Sequence, residues 1–304
     1  MPEPAPEPYR HPLQDLGRQL GVDVRGAQPL RLHDAATLLL PAEHLVVRLV
    51  TRSDEVVRRA TKAVQLTAWL ATQGFPAVRP AAADPVTAGE YLITIWYAVP
   101  EQPRPDSLTV HTALGRLIRD LHTLPDPPIT LPEADPLARL RSALDVDTHR
   151  AEPVLDHRDH EFLTRRIHDL DDRYRSMSFP LGIGLIHNDA HPGNLLIDRT
   201  SPHGHVLTDW DSACRGPREM DVVLVGAPAS RFGDTPDERR AFTTGYGYDI
   251  ATWPAHQTLR DIRDLHSLAG HIRAAPAHRP ALRELHTRVR SLRENDGATR
   301  WSTP

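Results

Sequence analysis

The sequence predicts an α+β chain of two lobes, a small β-sheet with one helix followed by a mostly helical half. Residues 30–99 carry short β-type runs around a single helical stretch. The Pro-rich segment Pro100-Glu101-Gln102-Pro103-Arg104-Pro105 then breaks the pattern as a stiff linker. Beyond it apolar residues recur at the 3.6-residue period, interrupted by one β-rich insert over 182–211. A length of 304 residues fits two domains of roughly 100–200 residues each.

In chain order, residues 1–12 are Pro/Glu-rich and read as a flexible tail, leaving 13–99 as the N-terminal lobe. Leu30–Leu32, Thr37–Leu40 and Leu45–Val50 read as strands separated by polar turns and Pro41. A helix follows over about 54–73, stopped by Gly74 and Pro76. Tyr91–Val99 is β-branched and aromatic, bounded by Gly89 and Pro100, and reads as a buried strand. After the linker at 100–105, residues 106–304 form the helical lobe. Val110, Leu114, Leu117, Ile118 and Leu121 share one helix face, with Ser107 as N-cap. Leu163–Tyr174, Leu259–Ile272 and Leu282–Leu292 show the same spacing.

Composition narrows the function. A formal net charge of −4 with 25% charged residues excludes a disordered polyanion and a basic nucleic-acid binder. Lys62 is the only lysine among 36 basic residues, and the arginines are spread along the chain rather than clustered. Cys214 is the lone cysteine, so no internal disulfide forms and a reducing, cytoplasmic setting is expected. No run of about 18 apolar residues points to a membrane span, and residues 1–9 lack the features of a signal peptide.

The unusual chemistry lies in the insert, which reads LIHNDAHPGNLLID (185–198) and then HVLTDWD (205–211). Asn194–Asp198 and His205–Asp209 read as two strands joined by a hairpin-length turn. Placing 198 opposite 205 puts Asn194 opposite Asp209, with Cβ atoms about 5 Å apart. Two oxygen donors that close suit a hard cation such as Mg²⁺. Asp189, five residues before Asn194, sits on the loop leading into this pair, where a carboxylate beside a metal–phosphate site positions an attacking hydroxyl.

HNDAHPGN resembles the catalytic loop of the aminoglycoside phosphotransferase and choline kinase-like family, and TDWD resembles its metal-binding segment. VVRLV (46–50) is similar to the strand carrying the nucleotide-phosphate base, AWLATQGFPAVRP (68–80) to the end of the N-lobe helix, and GPREMD (216–221) to the segment after the metal aspartate. The resemblance covers roughly 28–295. It implies a bilobal protein-kinase-like fold and an ATP- or GTP-dependent transfer of phosphate to a small-molecule hydroxyl, with Mg²⁺ as cofactor. It implies Asp189 as the catalytic carboxylate, Asn194 and Asp209 as Mg²⁺ ligands, and Arg48 as the phosphate-binding base. Trp96 and Ala98 fall on the strand edge that holds the nucleobase. His187 and Asp221 fall at bracing positions, and Asp211 assists the metal site. An aminoglycoside-like or other natural-product antibiotic is the implied acceptor, which makes antibiotic resistance the implied role.

Two departures stand out. His33-Asp34-Ala35-Ala36-Thr37 contains no glycine, so no G-x-G-x-x-G cradle is present. Where relatives place a Glu on the N-lobe helix to hold the phosphate-binding base, this chain has Ala63 beside Lys62. Free of nucleotide, Arg48 is then expected to be mobile or turned towards Asp54 or Glu55, with Lys62 the next candidate for the phosphate contact should Arg48 prove structural. Asp234, Asp237 and Glu238 form either an acidic rim for a cationic acceptor or a solvated helix start. Three other readings stand beside this one: a peptide Ser/Thr kinase, a non-catalytic nucleotide-binding module, and a transition-metal hydrolase built on His187, Asp189 and His191 with His203, His205 and Asp209 nearby. The last is opposed by Asn194, a poor zinc ligand.

Overall fold

The computed structural model describes residues 6–32, 35–100, 102–227 and 231–302. In chain order the elements are α1 (Glu7–Leu20), β1 (Gln28–Leu32), β2 (Ala36–Leu40), β3 (Leu45–Thr51), α2 (Asp54–Thr72), β4 (Val86–Ala88) and β5 (Tyr91–Tyr97). They continue with α3 (Ser107–Thr123), α4 (Ala138–Thr148), α5 (His157–Ser176), β6 (Ile183–Ile186), β7 (Leu195–Ile197), β8 (His205–Leu207) and β9 (Cys214–Pro217). The remainder is α6 (Glu219–Gly226), α7 (Pro236–Tyr246), α8 (His256–His266), α9 (Leu268–Ala274) and α10 (Arg279–Arg293). The α+β class, with a small N-terminal sheet and a helical C-terminal region, is the one read from the sequence.

The chain divides into two compact units. One holds the residues up to Asp106 together with Thr123–Leu131 and His187–Ala213; the other holds Ser107–His122, Pro132–Ile186 and Cys214 onward. The segment 187–213, assigned from sequence to the helical lobe, therefore groups with the N-terminal sheet. Backbone pairing explains this. Leu207 N–H donates to the Pro76 carbonyl at 2.9 Å, and Val78 N–H donates to the Leu207 carbonyl at 3.0 Å.

In the first unit an antiparallel sheet runs β1-β2-β3-β5-β4. Strand β3 alternates cleanly, with Leu45, Val47 and Leu49 buried and Val46, Arg48 and Val50 on the other face. The buried set packs with Leu38, Leu40, Ile93 and Ile95. Ser53 caps α2 by accepting from Val56 N–H, with Asp54 and Glu55 in the first turn, where acidic side chains favour the helix dipole. The tail expected over 1–12 needs correction. Residues 1–5 lie outside the described set, but Glu7–Leu20 is a helix with Leu13 and Leu16 buried in the sheet's core. Pro at its start fixes a φ suited to a first turn, and Gly21 ends it at φ 69°.

The second unit is mainly helical. The helix expected over 259–272 is two helices, broken at Ser267. Helix α6 escaped the periodicity argument because almost all of it is buried, so no polar stripe marks a period. Gly115 and Gly245 let α3 and α7 meet backbone to backbone: a Cβ on Gly115 would lie 2.3 Å from the Phe242 carbonyl oxygen. No helix among the described residues is long and apolar enough to cross a membrane.

Candidate active site

β6 ends at Ile186, and the chain enters a loop whose first residue, His187, is fully buried. The His187 Nε2 lies 3.0 Å from the Thr208 carbonyl oxygen, and its ring packs edge-on to Trp210 at 4.7 Å. Asn188 follows at φ 63°, a left-handed conformation that short polar side chains tolerate best. Asp189 comes next, its side chain 39% exposed.

The loop folds back through a short 3-10 turn at Pro192–Asn194. His191 Nδ1 accepts from Gly193 N–H at 3.1 Å, and a Cβ at Gly193 would collide with that imidazole at 2.8 Å. Asn194 is buried, and its Nδ2 donates to the Asp189 carbonyl at 2.9 Å. That bond commits the amide nitrogen and leaves Oδ1 as the atom suited to a cation.

The hairpin register differs from the sequence expectation by one residue. Leu195 pairs Leu207, Leu196 pairs Val206 and Ile197 pairs His205. Asn194 is thus level with Thr208, whose N–H donates to its carbonyl at 3.0 Å, and not with Asp209. A one-residue slip would normally send the next side chain to the opposite face. Asp209 leaves the strand at φ 63° and opens a 3-10 turn at Trp210–Ser212, so strand alternation no longer sets its direction. Strained non-glycine conformations of this kind concentrate at functional sites.

Asp209 is raised above the usual carboxylate range. Burial is the main cause; Arg48 opposes it, while Asp211 and Asp189 reinforce it. Arg48 sits across the same acidic group and hydrogen-bonds Asp211. Burial alone would lower its basicity, but the charges of Asp211 and Asp209 outweigh that and raise it. The expectation that Arg48 turns towards Asp54 or Glu55 is therefore corrected. Its partner is Asp211, on the turn and not on the helix.

Lys62 also departs from expectation. Its Nζ donates to the main-chain carbonyls of Asp211, at 2.8 Å, and of Ala213. Lys62 thereby grips the turn that carries Asp211. Ala63, beside it, is buried against the helix's inner face. In this arrangement the turn supplies the carboxylate that pairs Arg48, and the helix supplies the lysine that holds the turn's backbone. Sequence reasoning missed this role, although the chain's single lysine was its signal.

Of the two residues expected to hold a nucleobase, Trp96 is half-buried, with its indole Nε1 donating to Thr94 Oγ1 at 2.9 Å. Thr94 lies opposite Arg48 in the sheet, so the three share one face. Ala98 N–H donates to the His44 carbonyl at 2.9 Å. That removes it as a donor to a base and leaves the Ala98 carbonyl for the purpose. His33 and Asp34, in the glycine-free turn, lie outside the described residues.

Asp221 belongs to the second unit. Fully buried on α6, it lies 3.2 Å from His122 Nε2, whose Nδ1 is 2.9 Å from the Tyr246 hydroxyl. Asp237 and Glu238 open α7, where Glu238 completes a capping box with Thr235. A helix-start role is thereby shown for these two.

Asn194, Asp209 and Asp211 offer oxygen donors only, and Asp209 lies in the field of Asp211, Asp189 and Arg48. Hard oxygens in an acidic cluster fit a divalent cation of the Mg²⁺ type.

The sequence profile of the phosphotransferase enzyme family matches residues 30–259. No curated protein sequence matches significantly. The fold is similar to that of an amicoumacin kinase, hAmiN, solved with AMP-PNP, Ca²⁺ and Ami: TM-score 0.67, 13% identity, 95% of each chain covered. A choline/ethanolamine kinase family protein from Mesorhizobium loti aligns with TM-score 0.64 and 15% identity over 93% of this chain and 95% of its own. An APH(2'') enzyme complexed with GDP and kanamycin aligns with TM-score 0.62 and 15% identity over 92% and 97%. At these identities the likeness is one of fold.

Proposed function

This chain belongs to the phosphotransferase enzyme family, which moves phosphate to alcohol groups, and from that premise we propose that it transfers the γ-phosphate of ATP or GTP to a hydroxyl of a natural-product antibiotic. The observation that carries the reading is that Asp209 lies in the field of both Arg48 and Asp189, with Asn194 bonded back to Asp189. Phosphoryl transfer asks mainly for positioning and charge stabilisation, which such a cluster provides.

Asp189, the most accessible of the carboxylates, orients the acceptor hydroxyl and takes its proton as the oxygen–phosphorus bond forms and the nucleoside diphosphate departs. Asn194 Oδ1 and Asp209 are the ligands for Mg²⁺, which when bound neutralises phosphate charge. Arg48 spends one guanidinium nitrogen on Asp211 and offers its remaining donors to the non-transferred phosphates. Lys62 fixes the backbone that presents Asp211. Solved enzymes of this fold that hold amicoumacin, kanamycin or spectinomycin support an antibiotic acceptor.

A nucleotide-consumption screen tests the proposal, with ATP and GTP offered alongside antibiotic, sugar, choline-type and peptide Ser/Thr acceptors. Acceptor-dependent turnover and a phosphorylated antibiotic are expected, both lost in Asp189→Asn. Turnover confined to choline or peptide acceptors would overturn the substrate class. Nucleotide binding with no phosphorylated product from any acceptor would overturn the activity.

A further inference from the structure

Within the second unit, the first turn of α3 meets the start of α7 at a cluster the phosphotransfer site does not use. His111, 4% exposed, points its Nε2 at Asp234 Oδ1, 4.0 Å away. Among the described residues, one ligand atom each from His111, Asp234 and Glu238 lies within 4.8 Å of the others. His111 Nδ1 lies 2.7 Å from the Ser107 carbonyl oxygen, so it is the protonated nitrogen. The lone pair therefore resides on Nε2, which is buried and has no hydrogen-bond partner. An unsatisfied buried nitrogen costs free energy and calls for a partner. A ring oriented through Nδ1–H to a main-chain carbonyl, with Nε2 facing the Asp234 carboxylate and Glu238 beside them, is how proteins prepare a histidine for a metal ion.

We propose that His111, Asp234 and Glu238 bind a divalent transition-metal ion of the zinc class, as a site separate from the Mg²⁺ centre. A neutral imidazole and two carboxylates balance a dipositive ion without leaving buried charge. Three protein ligands leave the fourth tetrahedral position to water. With metal–ligand bonds of about 2.0–2.1 Å, tetrahedral ligand atoms stand about 3.3 Å apart, so closing the cluster asks for a movement, shared among the three side chains, that shrinks separations by up to about 1.5 Å. Asp234, 26% exposed at its side chain, has the room to make it. The nitrogen donor separates this site from the all-oxygen one, because imidazole favours zinc while Mg²⁺ prefers oxygen. Bound metal would staple the first turn of α3 to the start of α7.

The test uses the full chain, stripped of metal and free of nucleotide, in excess Mg²⁺. Zn²⁺ binding is followed by calorimetry and thermal shift, and Co²⁺ by its visible absorption. One zinc per chain, a raised Tm and a tetrahedral cobalt spectrum are expected. Glu238→Gln keeps the capping box, which accepts either residue, and Asp234→Asn keeps its shape. Each should weaken zinc at least tenfold with the metal-free Tm little changed, whereas Asp209→Asn should leave zinc affinity as it was. Wild type binding no zinc, or binding it within about twofold of both cluster variants, would overturn the site. Loss of zinc in Asp209→Asn alone would assign the ion to the phosphotransfer centre instead.

Discussion

At the scale of single residues, Asp209 carries a conflict between folding and catalysis. Its folded pKa lies above the unfolded one because it is buried beside Asp211 and Asp189. Between those two values the folded chain holds more protons, so metal-free stability falls as pH rises through that window. Asp209→Asn should therefore abolish Mg²⁺-dependent turnover yet raise the metal-free Tm and flatten its pH dependence above the usual carboxylate range. Parallel kinetics and melting curves check this; an unchanged or lowered metal-free Tm would show the carboxylate to be adequately solvated. Arg48 is expected to act mainly on nucleotide KM. A charged hydrogen bond contributes about 1.5–3 kcal/mol, so Arg48→Met should raise KM at least tenfold. Arg48→Lys should fall between, since ammonium lacks the planar fork that serves Asp211 and phosphate together. A wild-type KM in Arg48→Met would make this arginine structural. These residues could be singled out in the sequence because the segments that carry them are short local motifs. The Arg48–Asp211 pair was not, because its members are 163 positions apart and nothing local encodes the pairing.

At the scale of elements, strands β2 and β3 and helices α2 and α3 were legible from period-2 or period-3.6 burial, and β5, buried over four successive residues, from its β-branched and aromatic run between Gly89 and Pro100. Helix α1 was hidden by its prolines, although Leu13, Leu16 and the terminal Gly21 carried its signal. The hairpin register was misread by one residue because three-residue strands offer too little alternation to fix it, and the left-handed turn at Asp209 then changed which side chains converge. The α3–α7 crossing rests on two glycines, and there the energetics are decidable. Replacing a helical glycine by alanine gains up to about 1 kcal/mol in intrinsic propensity. Against that, a Cβ on Gly245 would lie 2.3 Å from the Thr112 carbonyl oxygen, and one on Gly115 would lie 2.7 Å from Tyr246 N. Both obstacles are backbone, so the helices must separate, and overpacking costs about 1–3 kcal/mol. Gly115→Ala and Gly245→Ala should each destabilise by about 1–2 kcal/mol net in denaturant titrations. The same change at Gly270, whose Cβ would meet nothing within 4 Å, should be neutral or stabilising. Stabilisation by Gly115→Ala would mean that the two backbones are not in contact.

At the scale of the whole molecule, the residues proposed for phosphotransfer, 48, 189, 194, 209 and 211, all belong to the first unit, together with Lys62, Trp96 and Ala98. The two-lobed pattern was legible because the periodicity changes at the Pro-rich linker. The assignment of 187–213 was not, because it depends on Leu207 pairing with Pro76–Val78, a contact between distant segments. This grouping has a thermodynamic consequence. A ligand that binds only the folded state at 100 times its Kd stabilises it by about 2.7 kcal/mol. Unfolding entropy is about 2.1 cal/mol/K per residue, so one cooperative transition of all 304 residues should rise by about 4 °C. The first unit contains roughly 140 residues, and melting separately it should rise by about 9 °C while the other transition stays in place. Calorimetry with saturating nucleotide and Mg²⁺ distinguishes these cases. In either one, Arg48→Met and Asp209→Asn should lose most of the increment, because they remove the phosphate base and the metal carboxylate. If no transition moves in the wild type, the cluster around Arg48 holds no nucleotide. If only a transition of the second unit moves, the nucleotide is held by residues other than those named.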